Sequence, residues 1–253
     1  IVHEDDEIIV IDKPPGLVVH PAAGNWSGTL LNGLLAHDRE LAALPRAGIV
    51  HRLDAGTSGL MVVARTLRAQ TELVRQLQAR SVTREYWAIV FGAPAAARTV
   101  DAPISRDPRN PLRFKVSRAA NARPARTHLR LVQTVAAGGV QLSWVACRLD
   151  TGRTHQIRVH LESIGHPLVG EPVYRRGAPG GVVRSGRDTA GQGTDSPAWA
   201  RLGRQALHAC LLALDHPASG ERMTWFRAPP PDMRTLMRAI GLRGGDEPVA
   251  VFG

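Results

Sequence analysis

The apolar residues of this chain fall into short runs that end at glycine, proline or polar residues. EIIVIDK at residues 7–13 ends at a Pro-Pro-Gly sequence, and YWAIVF at residues 86–91 ends at Gly92. Runs of this length between turn-forming residues are typical of β-strands. Strands are also predicted on both sides of HRLDAGTSG within residues 47–65, and at residues 127–134, 140–149, 207–214 and 223–229.

Helical patterns are fewer than strand patterns. Helices are predicted over residues 29–37, 66–80, 154–165 and 232–240. In the second of these, Thr66 is a typical N-cap, and Leu67, Val74 and Leu77 form the expected apolar face. Because strands dominate and their order along the chain is mixed, we expect an α+β fold with a mixed, largely antiparallel β-sheet flanked by helices and loops.

The pattern runs through residues 1–253 without an internal repeat or a linker, so we expect one domain. The glycine-rich stretch 177–199 lacks periodicity and is expected to be a flexible insertion. Residues 93–124 are polar and basic, which predicts a surface hairpin or loop. The chain opens on Ile1 rather than methionine, so we expect a segment to precede it.

Arginine dominates the charge of this chain. The formal net charge is +10, and 30 of the 32 basic residues are arginine, since Lys13 and Lys115 are the two lysines. The planar guanidinium group binds phosphates and bases, which favours a polyanionic partner such as RNA. The alternative is a surface enriched in arginine by genome composition, because alanine is abundant as well.

The sequence gives no sign of a metal site, a disulfide or a membrane segment. Cys147 and Cys210 lie in apolar surroundings without histidine or cysteine at ligand spacing. No apolar run reaches the length of a membrane helix, and the first residues, IVHEDDE, are acidic, unlike a signal peptide. We therefore expect a cytoplasmic protein without a metal and without a membrane anchor.

Three clusters of reactive or basic residues lie far apart in the chain. They are His-Arg-Leu-Asp at residues 51–54, Arg-Glu-Tyr at residues 84–86 and GRTHQIRVH at residues 152–160. Each has an ordinary explanation, because Asp54 can begin a tight turn, Tyr86 can be a packing residue, and a basic helix face can simply be solvated. The third cluster is also suited to holding phosphate at a helix N-terminus.

Taken together, the clusters resemble the RluA family of pseudouridine synthases. The resemblance rests on HRLDAGTSGLMVVAR, REYWAIVFG, TGRTHQIRVHLESIGHPLVGEPVY and RQALHACLLALDHPASG, which occur in the family's order. It implies the pseudouridine synthase catalytic fold and conversion of uridine in RNA to pseudouridine, with a base that leaves the helical stack. It also implies no cofactor, and a large-subunit ribosomal RNA or pre-ribosomal particle as partner. A monomer is the default expectation for the oligomeric state.

The resemblance assigns roles to individual residues of this sequence. Asp54 matches the catalytic aspartate, Arg158 the arginine that pairs with it, and Tyr86 the tyrosine that stacks on the flipped uracil. A paired guanidinium keeps a carboxylate ionised. Leu207 matches a residue that packs beside the target base. Candidates for orienting the aspartate or for binding RNA are Arg52, Arg153, His155 and Arg204, while His51 and His160 are expected to be structural.

The same resemblance identifies further candidates and some departures. The arginines 106, 109, 113, 118, 123 and 126 are candidates for contacts with the RNA backbone. NARPART at residues 121–127 replaces an expected Gly-Lys-Pro pattern, and the small RNA-binding domain that such proteins carry before the catalytic domain is missing from this sequence.

Other functions remain open from the residues. A transfer RNA pseudouridine synthase of the same family would share these motifs. A non-catalytic RNA-binding ribosome assembly factor would not need Asp54, Tyr86 and Arg158 together. A glycosidase would need a second carboxylic acid opposite Asp54, and the available Glu85 and Glu162 are read as charges on the solvent side.

Overall fold

The computed structural model describes residues 1–22, 24–179, 197–249 and 251–252. The chain forms two compact units, and the first of them is discontinuous in sequence. It consists of residues 1–85 and 208–228, while residues 86–207 and 229–253 form the second unit. Most of the expected flexible insertion, residues 180–196, lies outside the described residues.

Eleven strands and four α-helices make up the regular structure of the described residues. The helices are α1 (Leu30–His37), α2 (Leu67–Ala79), α3 (Gln156–Ser163) and α4 (Pro231–Ala239). The strands are β1 (His3–Glu4), β2 (Ile8–Lys13), β3 (Ser58–Ala64), β4 (Thr83–Phe91), β5 (Ala97–Asp101), β6 (Ile104–Asp107), β7 (Asn110–Val116), β8 (Arg126–Ala137), β9 (Val140–Leu149), β10 (Leu207–Asp215) and β11 (Arg222–Phe226).

The sheet of the first unit has the strand order β1-β2-β3-β10-β11. All neighbours are antiparallel except β3 and β10, which run parallel with His208 opposite Ser58. Burial on both faces explains why SGLMVVA in β3 is apolar almost throughout. The core of this unit includes Ile8, Val62 and Leu73, which are at most 1% exposed.

The two helices of the first unit begin at the residues that the sequence indicates. Thr29 caps α1 in a capping box with Asn32, and the Thr66 hydroxyl accepts from the backbone N–H of Ala69 at the start of α2. The buried face of α2 differs from the prediction. Leu67 is 63% exposed, and Ala69, Leu73 and Gln76 are buried instead.

The strand predicted before HRLDAGTSG is wrong. Pro45–Gly48 form a short 3₁₀ helix in which Arg46 and Ala47 adopt positive φ, and only Ile49 bridges to Val63. Gly48 lies against the next strand so closely that a Cβ would be 1.9 Å from the carbonyl oxygen of Ala64. Only a residue without a Cβ can come this close to Ala64, so the backbone forms a turn at Gly48 instead of a continuous strand.

The second unit contains the strand order β4-β9-β8-β5, with the residues of β4 from Tyr86 onward in this unit. The long β8–β9 hairpin turns at Gly138 and Gly139, as predicted. A separate hairpin, β6–β7, lies in the basic region 93–124, which confirms the predicted surface hairpin. Because the strand pairs are largely antiparallel and the helices few, the α+β prediction is confirmed.

Within the described residues, no helix has both the length and the apolar character that crossing a bilayer requires. The same part of the chain contains no group of three or more histidine, cysteine or acidic side chains that could hold a metal ion.

Candidate active site

Asp54 lies in a turn directly before β3. The turn is closed by a hydrogen bond from the Thr57 N–H to the Asp54 carbonyl oxygen at 3.0 Å. The next carbonyl, that of Ala55, accepts from the Lys13 ammonium at 3.0 Å and from the Gly16 N–H at 2.8 Å. The end of β2 therefore fixes the turn that carries the carboxylate.

Lys13 is unusual because its side chain is completely buried. Its ammonium group also donates to the carbonyl oxygens of Pro14 and Leu17, at 2.8 and 2.9 Å. Three carbonyl partners compensate the cost of burying a charge. Lys13 thereby joins the Pro-Pro-Gly segment after β2 to the Asp54 turn.

The Gly-Thr-Ser-Gly sequence after Asp54 leads directly from the turn into β3. Ser58 and Gly59 already belong to β3, and a Cβ on Gly59 would lie 2.2 Å from the carbonyl oxygen of Ala209. The His208 ring donates from Nε2 to the Arg227 carbonyl, so its Nδ1 accepts from the Ser58 hydroxyl at 3.0 Å. Gly59 therefore allows β3 to pack closely against Ala209.

The two residues before Leu53 have different environments. The Nε2 atom of His51 accepts from the Val62 backbone N–H at 3.1 Å. Burial, with a further contribution from the positive charge of Arg84, lowers the pKa of His51 to about 3. His51 is therefore neutral at physiological pH and holds the Asp54 loop to β3, which supports a structural role. Arg52, by contrast, is exposed.

Arg158 is a buried cation of the second unit. It lies on α3 and forms a bidentate ion pair with Glu171, with nitrogen–oxygen distances of 2.8 and 2.6 Å. Both side chains are buried, with 6% and 1% exposed. The Glu171 carboxylate also accepts from the backbone N–H groups of Val173 and Tyr174. Glu171 thus fixes the position of the Arg158 guanidinium group.

Tyr174 connects Arg158 to the β6–β7 hairpin. The Arg158 and Arg113 guanidinium groups lie 5.1 and 5.2 Å from the centre of the Tyr174 ring. The phenol oxygen accepts from the Phe114 N–H at 2.9 Å and lies 2.7 Å from Nδ1 of His155. Tyr174 therefore links the β6–β7 hairpin to both Arg158 and His155.

The segment before α3 is held by the side chain of Gln156. Its oxygen accepts from the Thr151 hydroxyl and from the Arg153 backbone N–H, and its amide donates to the Arg126 carbonyl. His155 precedes the helix with φ +57°, in the left-handed region. The Arg153 side chain donates to the Pro124 carbonyl at 3.0 Å. Side-chain hydrogen bonds thus determine the conformation of this loop.

The remaining predicted residues of the second unit have the following environments. Arg204 forms a bidentate ion pair with Asp232 at 2.7 and 2.9 Å. Tyr86 and Leu207 are 5% and 3% exposed. His160 is buried between the Thr127 hydroxyl and the Ala102 carbonyl, which supports its predicted structural role.

The structure brings some of the predicted residues together within each unit. The first unit contains Asp54 and Arg52 in one loop, and the second unit brings Arg158 and His155 together through Tyr174. The pairing of Asp54 with Arg158 and the stacking role of Tyr86 stay predictions. Lys13, Glu171 and Tyr174 were missed, although KPPG and GEPVY stand out in the sequence as short motifs beside the clusters.

The family follows from comparison with known proteins. A sequence model of RNA pseudouridylate synthases matches residues 7–163, which include Asp54, Tyr86 and Arg158. The chain belongs to the RNA pseudouridylate synthase family. This match confirms the predicted resemblance.

Relatives within this family are similar over nearly the whole chain. Ribosomal large subunit pseudouridine synthase D of Nitrosomonas europaea is 51% identical over 240 residues, which cover 95% of this chain and 64% of that protein. The protein of the same name from Neisseria meningitidis serogroup A is 50% identical, over 97% of this chain and 62% of that protein. The chain therefore spans less than two thirds of the length of these two relatives.

Solved structures of pseudouridylate synthases have a similar fold. Human RNA pseudouridylate synthase domain containing 4 matches with a TM-score of 0.68 at 25% identity, over 96% of this chain and 94% of that chain. Human RNA pseudouridylate synthase domain containing 1 matches with a TM-score of 0.66 at 26% identity, over 94% and 86%. The predicted pseudouridine synthase fold is therefore confirmed.

Proposed function

We propose that this protein isomerises uridines in RNA to pseudouridine, with Asp54 as the catalytic carboxylate. The observation that carries the proposal is the family match across residues 7–163, which includes Asp54, Tyr86 and Arg158. The rigid turn around Asp54 supports it, because a reacting group must be held in place while the base is turned over.

The reaction needs no net change in atoms. The bond from uracil N1 to the ribose breaks, a bond from C5 to the same carbon forms, C5 loses a proton and N1 gains one. Asp54 acts as a nucleophile or as a base in this sequence. Arg158 keeps the carboxylate ionised, and Tyr86 stacks on the flipped base and helps to remove the C5 proton. Leu207 packs beside that base.

Contacts with the RNA backbone are proposed for the exposed arginines of the basic region. Arg113 and Arg126 are half-buried and pair with Glu162 and Asp101. The arginines at positions 109, 118 and 123 are exposed, which leaves their guanidinium groups accessible to phosphate. Arg106 is exposed as well, and its guanidinium group also donates to the Pro111 carbonyl at 2.6 Å. Binding through such contacts falls steeply with salt concentration. Arg153 and Arg204 already bind protein groups, and their contribution to RNA binding is proposed as secondary.

Large-subunit ribosomal RNA is the proposed substrate, because relatives covering 95% of the chain are named ribosomal large subunit pseudouridine synthase D. We propose a cytoplasmic monomer that acts on this RNA or on a pre-ribosomal particle. No cofactor is part of the proposed reaction.

The test is conversion of an unmodified large-subunit ribosomal RNA transcript by the purified chain, followed by mass spectrometry of the nucleosides. We expect pseudouridine with the wild-type protein and none with Asp54→Asn, while RNA binding remains nearly unchanged. Asp6→Asn, the same substitution at an exposed site, is the matched control and should remain active. Equal activity of Asp54→Asn and wild type would refute the catalytic role.

A further inference from the structure

Trp26 is a large aromatic side chain that the fold leaves exposed. Its exposed fraction is 75%, whereas Trp87 and Trp144 are 1% and 2% exposed and pack edge to face against each other. An exposed tryptophan on a loop contributes little to the core and leaves its flat aromatic face available to a binding partner.

The loop that carries Trp26 has a defined conformation. Its ends are joined where the N–H groups of Leu30 and Leu31 donate to the carbonyls of Val18 and Val19, at 2.8 and 3.1 Å. Ala22 and Asn25 exchange two backbone hydrogen bonds near the tip, at 3.1 and 2.8 Å. Backbone hydrogen bonds thus lie on both sides of Trp26, and we name its surroundings the Trp26 loop, residues 20–22 and 24–28.

The Trp26 loop starts from the segment that fixes the Asp54 turn. The Lys13 ammonium donates to the carbonyls of both Leu17 and Ala55, and the Gly16 N–H donates to Ala55 as well. Three residues after Leu17 the loop begins. One buried cation therefore anchors the proposed catalytic turn and the base of the Trp26 loop.

Positive charge lies beside the same loop. Burial and the charges of Arg52 and Arg46 lower the pKa of His20, the first residue of the loop. Both arginines are exposed, and Arg52 precedes Asp54 by two residues. A loop that carries an exposed aromatic ring and begins beside cations combines the two features that bind single-stranded nucleic acid, base stacking and phosphate contacts.

We propose that the Trp26 loop, with Arg46 and Arg52, forms an RNA-binding surface in which Trp26 stacks on a base near the reacting uridine. The inference rests on the proposed function, since it places this surface beside Asp54. Alanine substitution of a stacking aromatic residue weakens binding by about 1–3 kcal/mol per base, which corresponds to about 5- to 150-fold in Kd.

The test compares Trp26→Ala and Trp26→Phe in the full chain, with a fluorescein-labelled polyuridine oligonucleotide as the probe. We expect Trp26→Ala to raise Kd about 5- to 150-fold and Trp26→Phe to restore most of the affinity, because phenylalanine keeps an aromatic face. Leu67→Ala, which removes another exposed apolar side chain of the same unit, should bind like wild type.

An abasic oligonucleotide of the same length separates stacking from phosphate contacts. If Trp26 stacks on a base, wild type and Trp26→Ala bind the abasic probe equally. A wild-type Kd for Trp26→Ala on polyuridine, or an equal loss on both probes, would overturn the inference. Absence of pseudouridine from the wild-type reaction would instead overturn the proposed function, since probe binding does not depend on turnover.

Discussion

Arg158 and Glu171 form a buried ion pair whose disruption has a calculable effect on stability. Replacement of Arg158 by alanine leaves the Glu171 carboxylate buried, at 1% exposure, without its bidentate partner. Removal of one member of such a pair costs about 3–5 kcal/mol. The two backbone N–H groups that bind Glu171 remain, so we expect a loss near the lower end, about 3 kcal/mol.

The assay is urea unfolding of wild type, Arg158→Ala, Glu171→Gln and the double variant Arg158→Met/Glu171→Gln. The double variant has no buried charge at this site, and glutamine still accepts from the backbone. We therefore expect it to be more stable than Arg158→Ala by at least about 1 kcal/mol. A loss below about 1 kcal/mol for Arg158→Ala would refute the reasoning.

The same pair affects how the activity of Arg158 variants is interpreted. A domain has about 5–15 kcal/mol of stability, so a loss of about 3 kcal/mol can unfold a marginal protein and abolish activity indirectly. Low activity of Arg158→Ala is informative about catalysis only if the variant is still folded under the assay conditions. Arg158→Lys is the better probe, since it keeps the charge but loses the planar bidentate geometry.

Two further predictions concern the frame around Asp54. The pKa of His51 is about 3 in the folded protein and about 6.5 in the unfolded chain. The contribution of His51 to the free energy of unfolding is therefore complete above pH 6.5 and is lost as the pH falls towards 3. Between pH 7 and pH 5, wild type should lose about 2 kcal/mol more stability than His51→Gln, measured by urea unfolding; equal losses would contradict this. Gly59→Ala should cost about 2–4 kcal/mol, because its Cβ would meet the Ala209 carbonyl at φ +110°. Gly33→Ala, in open space on α1, should be neutral or slightly stabilising, and similar thermal stabilities of the two alanine variants would be inconsistent with the clash.

The sequence was most informative where local rules determine structure. Thr66 caps α2, and the β8–β9 hairpin turns at its glycines, because capping and turn chemistry depend on neighbouring residues. The apolar face of α2 was mispredicted, since Leu67 is exposed while Ala69 packs in the core. Which face of a helix is buried depends on the sheet that it meets, and distant residues form that sheet.

The candidate site was predictable only in part for a similar reason. The motifs made Asp54 and Arg158 candidates, but they did not reveal that Glu171 pairs with Arg158 across 13 positions. Likewise, nothing in the sequence distinguishes Lys13 from a surface lysine. Its burial depends on the Ala55 carbonyl, a hydrogen-bond partner 42 positions away in the chain. Long-range partners of this kind follow from the fold and not from spacing.

The discontinuity of the first unit has a consequence for biosynthesis. Strand β10, which pairs in parallel with β3, is translated only after residues 86–207 of the other unit. During synthesis the edge of β3 that later pairs with β10 stays unpaired, although the residues of the Asp54 turn have already been translated. Non-local parallel pairing forms slowly. Chains that stop before residue 208 should therefore expose an unpaired strand edge to chaperones and proteases, and the sheet behind Asp54 is completed only after residues 86–207 have been synthesised.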